Sequence, residues 1–364
     1  MRIIILIFII ISLLAPNALM PFKAPAALPP LIGAVNPKTP VQPLKSAGVQ
    51  PAQFKRVISA WVPYWDNENV ARSFRQNKKM MNEISPYMYF TQPNGQLKAA
   101  APFNMALIRE AKREGIKVIP MTSNDFDGAM ISRIINNPQL RKAHINALVE
   151  KTVKGGFDGI DLDYEGLLPK DRKMISYFVH VLADKLHARG KLLSVTLQAK
   201  TKEPGNSNAT KAQDWRELGK YADRLRIMAY DHHWKTSGPG PIAPRFWVEQ
   251  VAKFASRTIP ARKVIMAFGT YGYNWDGSGR AKAMTIAQVR ALSKAKKQPI
   301  QRDPKSSELF LKLGPGAPRI WLQDSGSLKA KLEVVKKYNL GGVVFWRLGD
   351  EDAANWQVLK EELG

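Results

Sequence analysis

The sequence predicts an α/β protein built as a (β/α)8 TIM barrel with a small insertion between strands seven and eight. Three observations predict it. Short apolar runs recur eight times along the chain, helical patterns fall between them, and several of those patterns stop at a glycine. Strand alternating with helix implies a parallel sheet covered by helices, and eight rounds are enough to close it.

The elements follow in order. Residues 1–26 hold Arg2 and then an apolar run from Ile3 to Leu14 that continues with few interruptions to Phe22. This is the pattern of a signal peptide or of an uncleaved N-terminal anchor, so export to the periplasm, the cell envelope or the medium is expected. Residues 27–54 form a Pro-rich linker: eight prolines lie between Pro21 and Phe54 with no sustained hydrophobic period, which favours an extended spacer. Residues 55–364 form the barrel. Its strands are expected at 57–62, 87–90, 118–121, 159–164, 192–197, 225–229, 264–268 and 342–346. Helices are expected at 104–114, 138–154, 171–188, 244–255 and 327–338, with Gly115, Gly155 and Gly190 as stops. The stretch 296–324 is too long for one loop and one helix. It reads as a small subdomain flanking the cleft.

Composition narrows the function. The chain has 364 residues and no cysteine, which excludes disulfides, zinc–thiolate sites and cysteine nucleophiles. Lys and Arg number 55 against 30 Asp and Glu, a formal charge of +25. Arg2 and Lys23 are the only charges before Ala24, so a processed chain stays strongly basic. In an exported protein that favours an anionic cell-wall or membrane surface as a partner, through a dedicated patch or general weak affinity. No nucleic-acid motif is present, and no nucleic-acid partner is expected.

Residues 158–165 read Asp-Gly-Ile-Asp-Leu-Asp-Tyr-Glu. Side chains alternate faces along a strand, so Asp161, Asp163 and Glu165 project together while Ile160, Leu162 and Tyr164 face the other way. Neighbours two apart lie roughly 7 Å apart, close enough for like charge to raise a carboxyl pKa. A carboxyl protonated near neutrality is what a general acid requires. A calcium loop would spread its oxygens around a turn, so the strict alternation argues for a strand and against a cation site. Asp158 precedes the alternation and reads as structural.

This run resembles the signature of the family 18 glycoside hydrolases, the chitinase-like enzymes, whose fourth-strand motif Asp-x-x-Asp-x-Asp-x-Glu is filled by Asp158, Asp161, Asp163 and Glu165. Met228-Ala229-Tyr230-Asp231 matches the sixth-strand motif, Gly341 to Trp346 matches the last strand, and Ser59 to Trp65 looks like the first. The resemblance runs from about Val57 to the carboxyl terminus. Leu197-Gln198-Ala199-Lys200-Thr201, residues 346–351 and Asn355-Trp356 are similar to the branch holding the bacterial spore-cortex and cell-wall lysins.

The resemblance implies a retaining glycosidase acting on a polysaccharide containing N-acetylglucosamine, peptidoglycan ahead of chitin. Glu165 is implied as general acid and then base, with no carboxylate nucleophile: the substrate's 2-acetamido oxygen attacks the anomeric carbon. Asp163 is implied to orient the acetamido N–H, Asp161 to share a proton or hydrogen bond with Asp163, and Tyr230 to hold the acetamido carbonyl. Asp231 assists there, and Trp346 forms the floor under the sugar. Trp61, Tyr64, Gln198 and Tyr271 complete the expected substrate-binding set. Trp65, Trp234, Tyr273 and Trp275 also lie at or beyond strand ends, where roughly half of such aromatics would stack on sugars. His232 and His233 read as cleft-rim or loop residues. No cofactor or metal is expected, and the protein is expected to be a monomer. The alternative is a non-catalytic chitin- or wall-binding lectin on the same barrel; inactive barrels commonly replace the motif's terminal glutamate, and Glu165 is present.

Overall fold

In the computed structural model, which describes residues 54–101, 103–316 and 318–364, the apolar runs become eight parallel strands. They are β1 Val57–Val62, β2 Glu83–Thr91, β3 Met121–Ser123, β4 Gly159–Asp163, β5 Leu192–Gln198, β6 Arg224–Met228, β7 Val264–Gly269 and β8 Gly342–Trp346. Each pairs in parallel with the next, and β8 returns to β1. That last pairing closes the barrel. The expected export segment and all of the expected linker except Phe54 lie outside the described residues. Among the described residues no helix is long and apolar enough to cross a membrane.

Period-two patterning decides which side chains face where. On β4, Ile160 and Leu162 point outward into the large core shared with Phe178, Leu182 and Leu186 of the helix Arg172–His187. The inward side holds a smaller apolar group, Val57, Trp61, Met121, Ile265, Ala267 and Val344. Between these, the interior also carries buried polar side chains, Ser59, Glu83, Ser85, Asp161, Ser194, Thr196 and Arg226. The barrel interior is therefore filled rather than open.

Three expectations need correction. The third strand, expected at 118–121, is broken: Lys117–Val118 pairs with Glu83 and Ile84 of β2, and the ladder resumes only at Met121. Pro120 lies between the two pieces and has no N–H to offer a ladder. The second is a matter of detail: the helix Pro138–Lys154 stops at Gly155 as expected, with Gly155 as its C-cap, but the left-handed residue is the next one. Gly155 keeps a right-handed φ of −74°, and Gly156, at φ +59°, makes the left-handed turn. Gly115 and Gly190, at +70° and +63°, also stop their helices as expected.

The third correction is the size of the insertion. It begins directly after β7 and contains a five-stranded antiparallel sheet over 272–322, whose strand order is Lys282–Met284, Gly272–Asn274, Ile320–Leu322, Leu309–Leu311 and Ile300–Arg302, with the helix Ile286–Lys296. Val289, Leu311, Ile320 and Leu322 give it a core of its own. Strands of three residues are too short to show a period, which hid its first half in the sequence.

Candidate active site

The row of acids on β4 divides at the strand's end. Asp161 sits deep in the barrel, where its Oδ2 accepts hydrogen bonds from Arg226 Nη1 at 2.7 Å, Trp61 Nε1 at 3.0 Å and Ser85 Oγ at 3.3 Å. Arg226 Nη2 donates to Glu83 Oε1 at 2.8 Å, and all three charged groups are buried. The resemblance implied a bond between Asp161 and Asp163. The contacts of Asp161 go instead to Arg226, Trp61, Ser85 and Thr196.

Asp163 is the inward residue nearer the mouth. Its Oδ1 is buried with no hydrogen-bond partner among the described residues. Burial, then the charges of Glu165 and Asp161, push its carboxyl well above the usual range, with Arg226 opposing. Glu165 lies two residues past the end of β4 and accepts a hydrogen bond from Gln198 Nε2, at the end of β5, at 2.5 Å. Burial pushes its carboxyl up to about 7; Gln198 pulls it down and the Asp231 charge pushes it up. Glu165 can therefore hold or release a proton near neutrality.

Tyr230 follows β6, and its phenol is pushed well above its ordinary value by burial and by the charges of Asp163, Glu165 and Asp231. It stays a neutral hydroxyl able to donate. Asp231, at φ +56°, accepts from Tyr271 Oη at 2.5 Å and from Tyr273 Oη at 3.3 Å. Burial raises its pKa despite those two bonds.

These groups line one cleft of about 800 Å³ at the carboxyl ends of the strands, within the range that small-molecule sites occupy. Of the residues expected at the site, Glu165, Asp163, Tyr230, Asp231, Trp346, Trp61, Gln198 and Tyr271 line it. Asp161 stands behind it, as described, and Trp61 is 1% exposed beneath Trp346, so it supports the floor. Tyr64 does not line the cleft: it packs edge-on against Trp65, Tyr87 and Phe90. Its neighbour Trp65 faces the cleft instead and is 50% exposed.

Of the other aromatics, Trp234 and Tyr273 line the cleft, while Trp275 packs with Tyr273 and Ile242 in a separate buried cluster. His232 lies beside Trp247, and His233 Nδ1 is 2.9 Å from Pro241 O. Neither lines the cleft. Asp158 accepts from Val118 N at 2.8 Å, a structural use. Phe126, Lys235, Thr236 and Arg280 line the cleft and were not singled out by sequence, and Arg347 and Asp350, which also line it, were noted only within the stretch 346–351. They come from loops, where no periodicity marks an inward face.

An eight-stranded barrel with a carboxyl pushed up to about 7 in an aromatic cleft at the strand ends suits a glycoside hydrolase. The model of Glycosyl hydrolases family 18 matches residues 60–352, and the chain belongs to that family. Among its relatives is the cortical fragment-lytic enzyme of Bacillus subtilis, 26% identical over 306 residues, covering 81% of this chain and 71% of that protein. The spore cortex-lytic enzyme SleL of Bacillus megaterium superposes with a TM-score of 0.79 at 25% identity, over 86% of this chain and 75% of that one. A chitinase from Chromobacterium violaceum does so with a TM-score of 0.78 at 25% identity, over 85% and 99%.

Proposed function

We propose that the protein hydrolyses β-linked N-acetylglucosamine polymers with retention, using Glu165 as acid and base and the substrate's own acetamido group as nucleophile. Glu165 gives its proton to the glycosidic oxygen while the acetamido carbonyl oxygen attacks the anomeric carbon. The glycosidic C–O bond breaks and a cyclic oxazolinium ion forms. Water then attacks the same carbon as Glu165 takes its proton, which restores the acetamido group and leaves retained configuration. Asp163 accepts from the acetamido N–H and stabilises the positive charge that develops on the acetamido group. Tyr230 donates to the carbonyl, which favours the in-line conformer.

The observation that carries this reading is the unpartnered, buried Oδ1 of Asp163 beside a Glu165 carboxyl held near 7. A polar atom left without a partner in a cleft waits for one from a ligand. The cleft also offers Lys235 and Arg280, which make no ion pair among the described residues, whereas Arg347 is paired with Asp66 and Asp350. Two uncommitted cations favour a glycan that carries carboxylates, peptidoglycan, ahead of neutral chitin. The cortex-lytic relatives point the same way.

Wild type and Glu165→Gln, incubated with purified peptidoglycan and with chitin oligosaccharides, are compared by the appearance of new reducing ends. A loss of about 10² to 10⁴ in rate is expected; equal rates sink the mechanism. A de-N-acetylated substrate should resist cleavage. Binding of acetamido glycans without cleavage by wild type would establish the lectin alternative. Under this reading the protein is exported ahead of its proline-rich linker, and recovery of the full chain only from the cytosol on cell fractionation would refute that.

A further inference from the structure

The loop after β3 makes two contacts with the proposed acid that neither its sequence nor its family motif announces. The parallel ladder between β3 and β4 ends at the pair Ser123 and Asp163. Beyond it Glu165 has no strand partner on that side. The side chain of Asn124, 1% exposed, takes over. Its Oδ1 accepts from Glu165 N at 2.9 Å and its Nδ2 donates to Glu165 O at 2.8 Å. One carboxamide thus stands in for a peptide group and continues the ladder by one residue.

Immediately after Asn124 the chain is strained. Asp125 and Phe126 both have left-handed φ, +50° and +62°, a conformation that disfavours residues other than glycine. The strain has a visible product: Phe126 is 68% exposed and lines the cleft. The turn is also packed against the segment that follows Glu165. Gly166, at φ +66°, brings its backbone so close that an added Cβ would lie 2.4 Å from Phe126 O, and one on Gly128 would lie 1.8 Å from Gly166 O. The two loops cannot move independently.

We propose that the turn at Asn124–Phe126 links sugar binding to acid placement: Asn124 is a positioning residue that fixes the backbone of Glu165, and Phe126 is an aromatic platform for a sugar ring of the same polymer. An exposed phenyl face suits the C–H face of a pyranose and costs apolar exposure while empty. The clamp sets where Glu165 meets the glycosidic oxygen, a placement in which small errors are expensive. This inference rests on the reading of Glu165 as the acid.

The test compares wild type, Asn124→Ala, Asn124→Asp and Phe126→Ala on short and long chitin oligosaccharides and on purified peptidoglycan, with full pH profiles and thermal midpoints. Asn124→Ala is expected to lower kcat about ten- to hundredfold with little change in KM. It also admits water to Glu165, so the basic limb of the profile moves to lower pH. Asn124→Asp keeps the acceptor for Glu165 N, loses the donor to Glu165 O and adds a buried carboxylate behind a cleft that already holds Asp163 and Asp231 near Glu165, with Tyr230 and Gln198 around it. Its basic limb moves to higher pH.

Phe126→Ala is expected to raise KM several-fold on long chains and by a smaller factor on short ones. Opposite shifts of the basic limb distinguish positioning from general loosening, which moves both variants alike. The inference is overturned if Asn124→Ala keeps wild-type kcat and profile, if both Asn124 variants shift in one direction, or if Phe126→Ala is indifferent to chain length. Should Asn124→Ala not fold, Asn124→Asp and Phe126→Ala still decide it. Glu165→Gln separates the two failures: a fully active Glu165→Gln removes the functional reading, whereas an inactive one beside a wild-type Asn124→Ala removes only the clamp.

Discussion

Asp161 and Asp163 are the same residue type, two positions apart on one face of one strand, and the barrel treats them oppositely. Asp161 meets a guanidinium, an indole N–H and a hydroxyl. Asp163 has a buried oxygen with no partner among the described residues and a carboxyl pushed well up. Asp161 is closed by its own hydrogen bonds and Asp163 is left unfinished at the mouth, although among the described residues the interior also leaves Ser59 Oγ, Ser194 Oγ, Glu83 Oε2 and Arg226 Nε without hydrogen-bond partners. Satisfied polar networks rigidify a structure, whereas an unpaired buried oxygen needs an explanation, which at the mouth of a cleft a ligand can supply. The break comes at the end of β4, where neighbouring strands stop supplying side chains from every side.

The largest effect should come from the closed region. Arg226 bridges Asp161 and Glu83, and neither it nor they reach solvent. Arg226→Ala leaves Asp161 buried without its cation and Glu83 with only Arg224 Nε at 3.7 Å, for which a loss of about 3–5 kcal/mol in unfolding free energy is expected by denaturant titration. Arg226→Ala combined with Asp161→Asn and Glu83→Gln should recover much of that loss, because the charges are gone. A single substitution costing under about 1 kcal/mol would mean that the interior does not depend on its ion pairs, and the contrast with the mouth would collapse.

How much of this contrast the sequence carries depends on periodicity. The three inward acids were legible because period-two alternation exposes them, and Tyr230, Asp231 and Trp346 because they fill the motifs that the resemblance to the family places at strand ends. Arg226 occupies an inward position of β6 between Leu225 and Ile227, yet its partners Asp161 and Glu83 come from strands far away in the chain. Nothing local announces the triad. Past a strand's end the alternation no longer binds, which is why Trp65 and not Tyr64 reaches the cleft. The clamp by Asn124 is similarly silent, since a lone asparagine in a loop is usually a turn residue.

A second prediction tests the unfinished region through stability. The carboxyl of Glu165 titrates near 7 in the folded chain against an ordinary 4.5, so folding takes up a proton between those values. Its contribution is fully present below about 4.5 and is lost as the pH rises through about 7. Above that, the fold carries an ionised carboxylate in a poor solvent, and Glu165→Gln does not. The variant should match wild type near pH 4 and exceed it by about 3 kcal/mol at pH 8, measured as unfolding free energy at both. A gain equal at the two values would show that Glu165 is not held protonated by the fold.

The smallest effect separates residues that serve the mouth from those that touch substrate. Tyr271 donates to Asp231 at 2.5 Å, with Tyr273 as a longer second donor at 3.3 Å. Tyr271→Phe removes one bond to a carboxylate and keeps the ring, so about 1 kcal/mol of stability should go, the remaining donor limiting the loss. Without that bond the pKa of Asp231 rises further, and more of it is neutral at a given pH. The Asp231 charge is one of the forces raising Glu165, so the basic limb of the rate profile should move slightly to lower pH while kcat at its optimum falls only a few-fold. A loss of activity comparable to that of Glu165→Gln would place Tyr271 against the reacting sugar. The boundary between support and chemistry would then lie one ring further out than the hydrogen bonds put it.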